Sequence, residues 1–204
     1  MLYRYLPFIA AMVFVVVLSN YLVQFPVNID LGWMNLADIL TWGAFTYPVA
    51  FLVSDLTNRK FGVGGARIVV MAGFVVAVGL SVVLATPRIA IASGAAFFVA
   101  QMLDVVIFDR MRNMDWWRAP LISSLLGSIV DTTLFFSLAF AAYFVVLGPL
   151  DGFAIENSAL LGIFSLEAPR WVSWALGDFL VKILVALSML VPYGILRKKF
   201  EQVA

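Results

Sequence analysis

Apolar residues run along this chain in six long stretches, each cut off by a short polar or Gly/Pro-containing segment. An uninterrupted apolar run of about 18 to 25 residues is long enough to cross a ~30 Å hydrocarbon core as a helix. The pattern predicts spans over residues 6–23, 39–56, 68–85, 89–108, 120–147 and 171–196. The first is followed by no small-x-small cleavage site, so it reads as a retained helix rather than a signal peptide. The second contains Pro48, which bends a membrane helix and frees a carbonyl that neighbours can satisfy. The fifth is long enough to require tilt or a break. Between spans, residues 24–38 read as an interfacial loop carrying Trp33, residues 57–67 as a Gly-rich basic turn, and residues 150–170 as a longer acidic connection. The expected fold is therefore all-α, a single six-helix polytopic membrane domain covering residues 1–204.

Composition agrees: 64% of residues are apolar and 12% are charged, against about 25% charged in soluble domains. The absence of Cys and His removes disulfides, thiol chemistry, Cys/His metal sites and histidine proton relays. Charge also sets the expected orientation. With the N-terminus inside, Arg4, Arg59, Lys60, Arg67, Arg110, Arg112, Arg118, Arg197, Lys198 and Lys199 all fall on the cytoplasmic side. Only Arg88 and Arg170 fall outside, so both termini are expected to be cytoplasmic.

Lys182 remains within the membrane, together with several carboxylates. Asp131 lies thirteen residues beyond Arg118, roughly 20 Å along a helix rising ~1.5 Å per residue. A carboxylate near the bilayer midplane costs about 2.5 to 3.5 kcal/mol on insertion scales and should face a partner or a cavity. Ser124, Gly127 and Ser128 precede it on the same helix, where small residues allow close approach. Asp178 and Lys182 are four apart, hence on one face, with Trp174 one turn further out. At similar depth to Asp131, Lys182 is expected between two carboxylates; registry of helix packing is the competing role for such a group. Ser93, Phe97, Gln101, Asp104 and Phe108 share a face of the fourth span, and Thr41, Phe45, Pro48 and Asp55 a face of the second. Asp104 is a site candidate or a group paired with a loop arginine; Asp55, next to Asn58, Arg59 and Lys60, reads as a loop anchor.

Taken together, several segments resemble one known family. SNYLVQFP at 19–26, TWGAFTYPVAFLVSDLTNRKFG at 41–62, RIAIASGAAFFVAQMLDVVIFDRMR at 88–112, WWRAP, SSLLGSIVDTTLFFSLAF, DFLVK and the Pro192-Tyr193 pair are similar to the queuosine precursor transporter family, also called VUT. The resemblance covers nearly the whole chain. It departs at residues 109–117, a short loop, and at residues 150–170, so extracellular gating does not carry over. The resemblance implies import of 7-cyano-7-deazaguanine or 7-aminomethyl-7-deazaguanine across the bacterial inner membrane for tRNA modification. Such a base offers a ring N–H and an exocyclic amino group side by side, which a carboxylate can accept, and a carbonyl that wants a donor such as Lys182 or Gln101.

The expected substrate-binding set is accordingly Asp131, Lys182, Asp178, Gln101, Asp104 and Ser128, with Phe45, Phe97 and Trp174 as stacking surfaces. No catalytic residue, metal or cofactor is expected, and no nucleic-acid partner; the lipid bilayer is the surrounding medium, and a homo-oligomer is compatible with the reading. Two other classes stand beside the secondary transporter. One is the substrate-binding component of an ATP-driven vitamin-type importer, which needs a separate ATPase. The other is an intramembrane aspartyl protease built on Asp131 and Asp178, less economical because Lys182 lies beside both.

Overall fold

The computed structural model describes residues 2–201. It is a bundle of long helices, five of which are long and apolar enough to cross a membrane. This is an all-α, multi-pass membrane protein. In chain order, α1 (Leu6–Leu22) leads into a folded loop, then a single turn, α2 (Gly43–Thr46), and the long α3 (Val49–Leu84). There follow α4 (Pro87–Met111), α5 (Arg118–Phe140), the short α6 (Gly152–Ile155), a two-stranded hairpin of β1 (Asn157–Ala159) with β2 (Glu167–Pro169), and α7 (Arg170–Glu201).

The second and third expected spans are two helical arms joined within α3, because the basic turn between them stays helical apart from one residue. Gly62 has φ 72° and ψ −175°, a region open essentially only to glycine. That single residue reverses the chain. Asn20 of α1 lies beside Tyr47, and Tyr5 at the other end of α1 stacks edge-on against Phe61 at 5.0 Å. The first arm thus runs antiparallel to α1. Beyond Gly62, Val69, Val70 and Ala77 pack against Met12 and Val16, and Ser81 and Leu84 reach the level of Asn20 again. The second arm therefore runs parallel to α1.

Arginines close the ends of these helices. Arg59 donates to the carbonyl of Arg112 at 2.7 Å, and Arg112 donates to the carbonyl of Arg59 at 3.2 Å. Each guanidinium caps the other's helix C-terminus, where carbonyls lack intrahelical partners. At the opposite end, Arg88 is 3% exposed and reaches Leu138 O at 2.9 Å, Ala141 O at 2.7 Å and Gly148 O at 3.2 Å. It was expected in an exterior turn; instead it serves the broken end of α5. That break corrects the fifth span, expected to reach residue 147: α5 stops at Phe140, Ala141 is extended, and residues 142–147 form a 3-10 turn. The segment FAAYFVVL is apolar throughout, so hydrophobicity alone carries no sign of the break.

Pro48 interrupts the helical hydrogen bonding, but Tyr47 and Pro48 keep helical dihedrals, so α2 runs on into α3; residues 39–42 precede the helix instead of starting it. The loop after α1 folds back on itself, with Pro26 bridging to Thr41 and Asp30 to Asn35. It is latched to α7 by the Trp174 indole N–H, which donates to Asp38 O at 2.9 Å.

Candidate functional site

Lys182 is the centre of a compact polar cluster between α5 and α7. Its ammonium donates to Asp131 Oδ2 at 2.6 Å and to Thr132 Oγ1 at 2.9 Å, and it pairs with Asp178 Oδ2 at 2.5 Å. The Thr132 hydroxyl in turn donates to Asp178 Oδ2 at 2.8 Å. All three ammonium protons are thereby engaged. The ion pair foreseen from the spacing is present, with Thr132 as a third acceptor that the spacing did not identify.

The two carboxylates are not equivalent. The Asp178 side chain is 16% exposed and carries two donors on one oxygen, whereas that of Asp131 is 24% exposed. Asp131 lies in the wall of a cavity of about 350 Å³, within the size range of small-molecule sites. Phe97, Phe135, Phe136, Phe140 and Trp174 line it, together with Asn20, Tyr47 and Ser93. The Tyr47 hydroxyl lies beside both Ser93 and Asn20, making a second polar group in the same cavity. Phe140 meets Trp174 edge-on at 5.5 Å, and Val23, Leu84, Ala85 and Ile89 complete the wall toward the Arg88 end of the bundle.

Of the nine residues singled out from sequence, Asp131, Lys182, Asp178, Phe97 and Trp174 meet at this cavity. Lys182 does so without a free proton, so the substrate-donor role expected of it is not available while its three bonds hold. Gln101, Asp104, Ser128 and Phe45 lie elsewhere. Phe45 packs among Val27, Leu40 and Val181. Ser128 and Gln101 are buried at 0% and 2% exposure, with Ser128 Oγ and Gln101 Oε1 unpaired. Asp104, 0% exposed, lies with Oδ2 2.8 Å from Ser54 Oγ.

Asp55 is not a loop anchor: it is 1% exposed and faces Asp104 and Ser123. The adjacent arginine, Arg59, points away to Tyr193 Oη at 3.0 Å and to Arg112. Asn20, Tyr47, Phe135, Phe136 and Phe140 had not been singled out, and Ser93 had been placed only on the face it shares with Phe97. Phe135 was within reach, since it stands one turn beyond Asp131 and so shares its face; Tyr47 and Asn20 meet only through tertiary packing.

Comparison with known proteins agrees with this architecture. A family profile described as "Putative vitamin uptake transporter" matches residues 41–86 and 79–196. The chain is 34% identical to the "Probable queuosine precursor transporter" of Haemophilus influenzae, over 90% of this chain and 82% of that protein. It is 35% identical to the "Queuosine precursor transporter" of Escherichia coli over 89% and 81%. A "Probable queuosine precursor transporter" of Bacillus subtilis is 25% identical over 78% and 72%. No solved structure matches. With the family profile spanning most of the helical bundle and two relatives at this identity, the chain belongs to the queuosine precursor transporter family.

Proposed function

We propose that this protein imports a 7-deazaguanine queuosine precursor, the 7-cyano or the 7-aminomethyl base, across the bacterial inner membrane for tRNA modification. The reading includes six membrane crossings, with the chain reversing at Gly62, and cytoplasmic termini; the arginine-rich end carrying Arg59, Arg112 and Arg197 then faces the cytoplasm. The carrying observation is the Asp131 carboxylate, held at one oxygen by Lys182 and presented to an aromatic-walled cavity. A carboxylate oxygen accepts more than one hydrogen bond. Asp131 therefore retains Oδ1 and a lone pair of Oδ2 for the ring N–H and the exocyclic amino group. Tyr47, rather than Lys182 or Gln101, supplies the donor for the base carbonyl, and the five aromatic rings enclose the flat ring system.

The test is binding and uptake by the purified chain. Titration with both bases, guanine and an analogue lacking the exocyclic amino group should rank a deazaguanine first. Asp131→Asn should weaken the preferred base by about 10- to 150-fold, the equivalent of 1.5 to 3 kcal/mol for a charge-assisted bond. The analogue should lose far less. Equal losses for both ligands would mean that Asp131 holds helices and does not read the base. ATP-independent uptake into proteoliposomes containing only this chain supports a secondary transporter; binding without uptake supports the ATPase-dependent alternative.

A further inference from the structure

We infer that the Asp55–Asp104 pair, buried in the half of the bundle away from the cavity, is a proton-binding site that couples transport to the proton gradient. The inference rests on the transport reading above. Both carboxylates are within 1% of complete burial, and among the described residues neither has an ion-pair partner within 4 Å. Leaving two ionised carboxylates side by side in a dry interior costs many kcal/mol, and groups in that position neutralise instead.

The hydroxyls around the pair identify where a proton sits. Ser54 Oγ lies 2.8 Å from Asp104 Oδ2 and 2.9 Å from Phe51 O. A hydroxyl has one proton and cannot donate to both acceptors. Both contacts become hydrogen bonds at once only when Asp104 Oδ2 carries a proton and donates it to Ser54, which then donates to Phe51 O. Independently, Asp104 Oδ1 is buried with no hydrogen-bond partner. That is tolerable for the carbonyl oxygen of a neutral acid and costly for an ionised one. On α5, Ser123 touches Asp55 Oδ1 at 3.4 Å and also neighbours Asp104, so a hydroxyl bridges the pair.

The charged and titratable groups facing the pair fit an exchangeable proton rather than a fixed ion pair. From α3, Arg59 lies one turn beyond Asp55 but is engaged with Tyr193 and the carbonyl of Arg112. Tyr193 is the group contributed by α7, α5 contributes hydroxyls only, and Arg112 of α4 turns to Asp109 and to the carbonyl of Arg59. When the proton leaves, it passes from Asp104 Oδ2 to water at the Arg59 end. Ser54 then turns its O–H from Phe51 O to the carboxylate. A void of about 10 Å³ beside Asp55, Ser124 and Tyr193 is close to the space one water needs on such a path.

Two measurements test this. Infrared spectroscopy of the wild-type protein at neutral pH should show the C=O stretch of a protonated carboxylic acid. That band should shift in D₂O and vanish in the Asp55→Asn, Asp104→Asn double variant; its absence from wild type overturns the proposal whatever the protein transports. In proteoliposomes, an acid-outside gradient should accumulate labelled deazaguanine about tenfold per pH unit, the limit for one proton per base. Asp104→Asn, a fixed mimic of the neutral acid, should keep base affinity within about twofold yet lose that response. Uptake indifferent to the pH gradient, or driven by a sodium gradient instead, refutes proton coupling while leaving the transport reading intact. Failure of every deazaguanine to bind wild type removes the transport reading and the coupling with it, and the infrared band alone then decides whether the pair holds a proton.

Discussion

Replacing Lys182 by Met separates what the ion cluster does for the fold from what it does for a ligand. Methionine keeps the length of the side chain but removes the charge and all three donated bonds, those to Asp131, Asp178 and Thr132. Two carboxylates then face each other without compensation. Removing one partner from a buried pair costs about 3 to 5 kcal/mol. The low end applies, because Asp131 opens on the cavity and water there screens part of the repulsion. A loss of about 3 kcal/mol corresponds to a fall in melting temperature of roughly 6 to 12 °C for a chain of this size. Adding Asp178→Asn or Asp131→Asn should recover much of the loss, since coupling between contacting groups commonly reaches about 0.5 to 3 kcal/mol. The two rescues then part company. Asp178→Asn with Lys182→Met leaves the carboxylate at the cavity wall and should still bind the base, whereas Asp131→Asn with Lys182→Met should fold and bind weakly. Thermal unfolding in detergent and equilibrium binding of labelled base read both quantities on the same samples. If neither double variant is more stable than Lys182→Met alone, the cluster is not the electrostatic unit described here.

Gly62→Ala should destabilise by about 1 to 3 kcal/mol, because Gly62 sits in a glycine-only backbone region; an added Cβ would meet only Arg112 Nη1, at 4.0 Å, so the cost is backbone strain, and thermal shift measures it. Gly127→Val should cost a similar about 1 to 3 kcal/mol of overpacking, since even a Cβ there would come within 2.7 Å of the Phe51 ring. Its signature is restored stability when Phe51→Leu is added. Arg88→Leu leaves the carbonyls of Leu138, Ala141 and Gly148 without their donor, and Arg88→Lys should fare little better because an ammonium lacks the guanidinium fork. Limited proteolysis near residues 141–149 should speed up in both variants.

The sequence carries one kind of information about this bundle well and another poorly. Spans, and the depth of a charge within a span, follow from counting residues, which is why Asp131 and Lys182 could be placed at similar depth, with Asp178 one turn further out, before any contact was known. Rotation of one helix about its axis relative to the next does not follow from counting. Asn20 and Tyr47 stand on different helices and meet at the cavity only through that packing. The loop-anchor reading of Asp55 failed for the same reason. Its nearest basic residue in sequence, Arg59, is drawn away by Tyr193, which lies 134 residues further on.

A uniform apolar background also hides where a helix stops. Nothing in the composition separates the helical residues of α5 from the 3-10 turn that follows, because both are apolar; the difference lies in the carbonyls, and Arg88 collects them from another helix. Membrane interiors make this general: with no water to satisfy a broken helix end, some protein donor must do so. An arginine expected in an exterior turn is therefore better searched for against the nearest helix C-terminus than assigned to solvent. By that reasoning Arg59 and Arg112 belong together before their contact is seen. Each stands at the end of a helical arm whose last carbonyls need a donor, and a guanidinium can cap a neighbour's carbonyls while its own backbone is capped in return. The positive-inside pattern read from the sequence is in that sense partly a capping pattern, and the ten residues counted for orientation are not ten independent solvated charges.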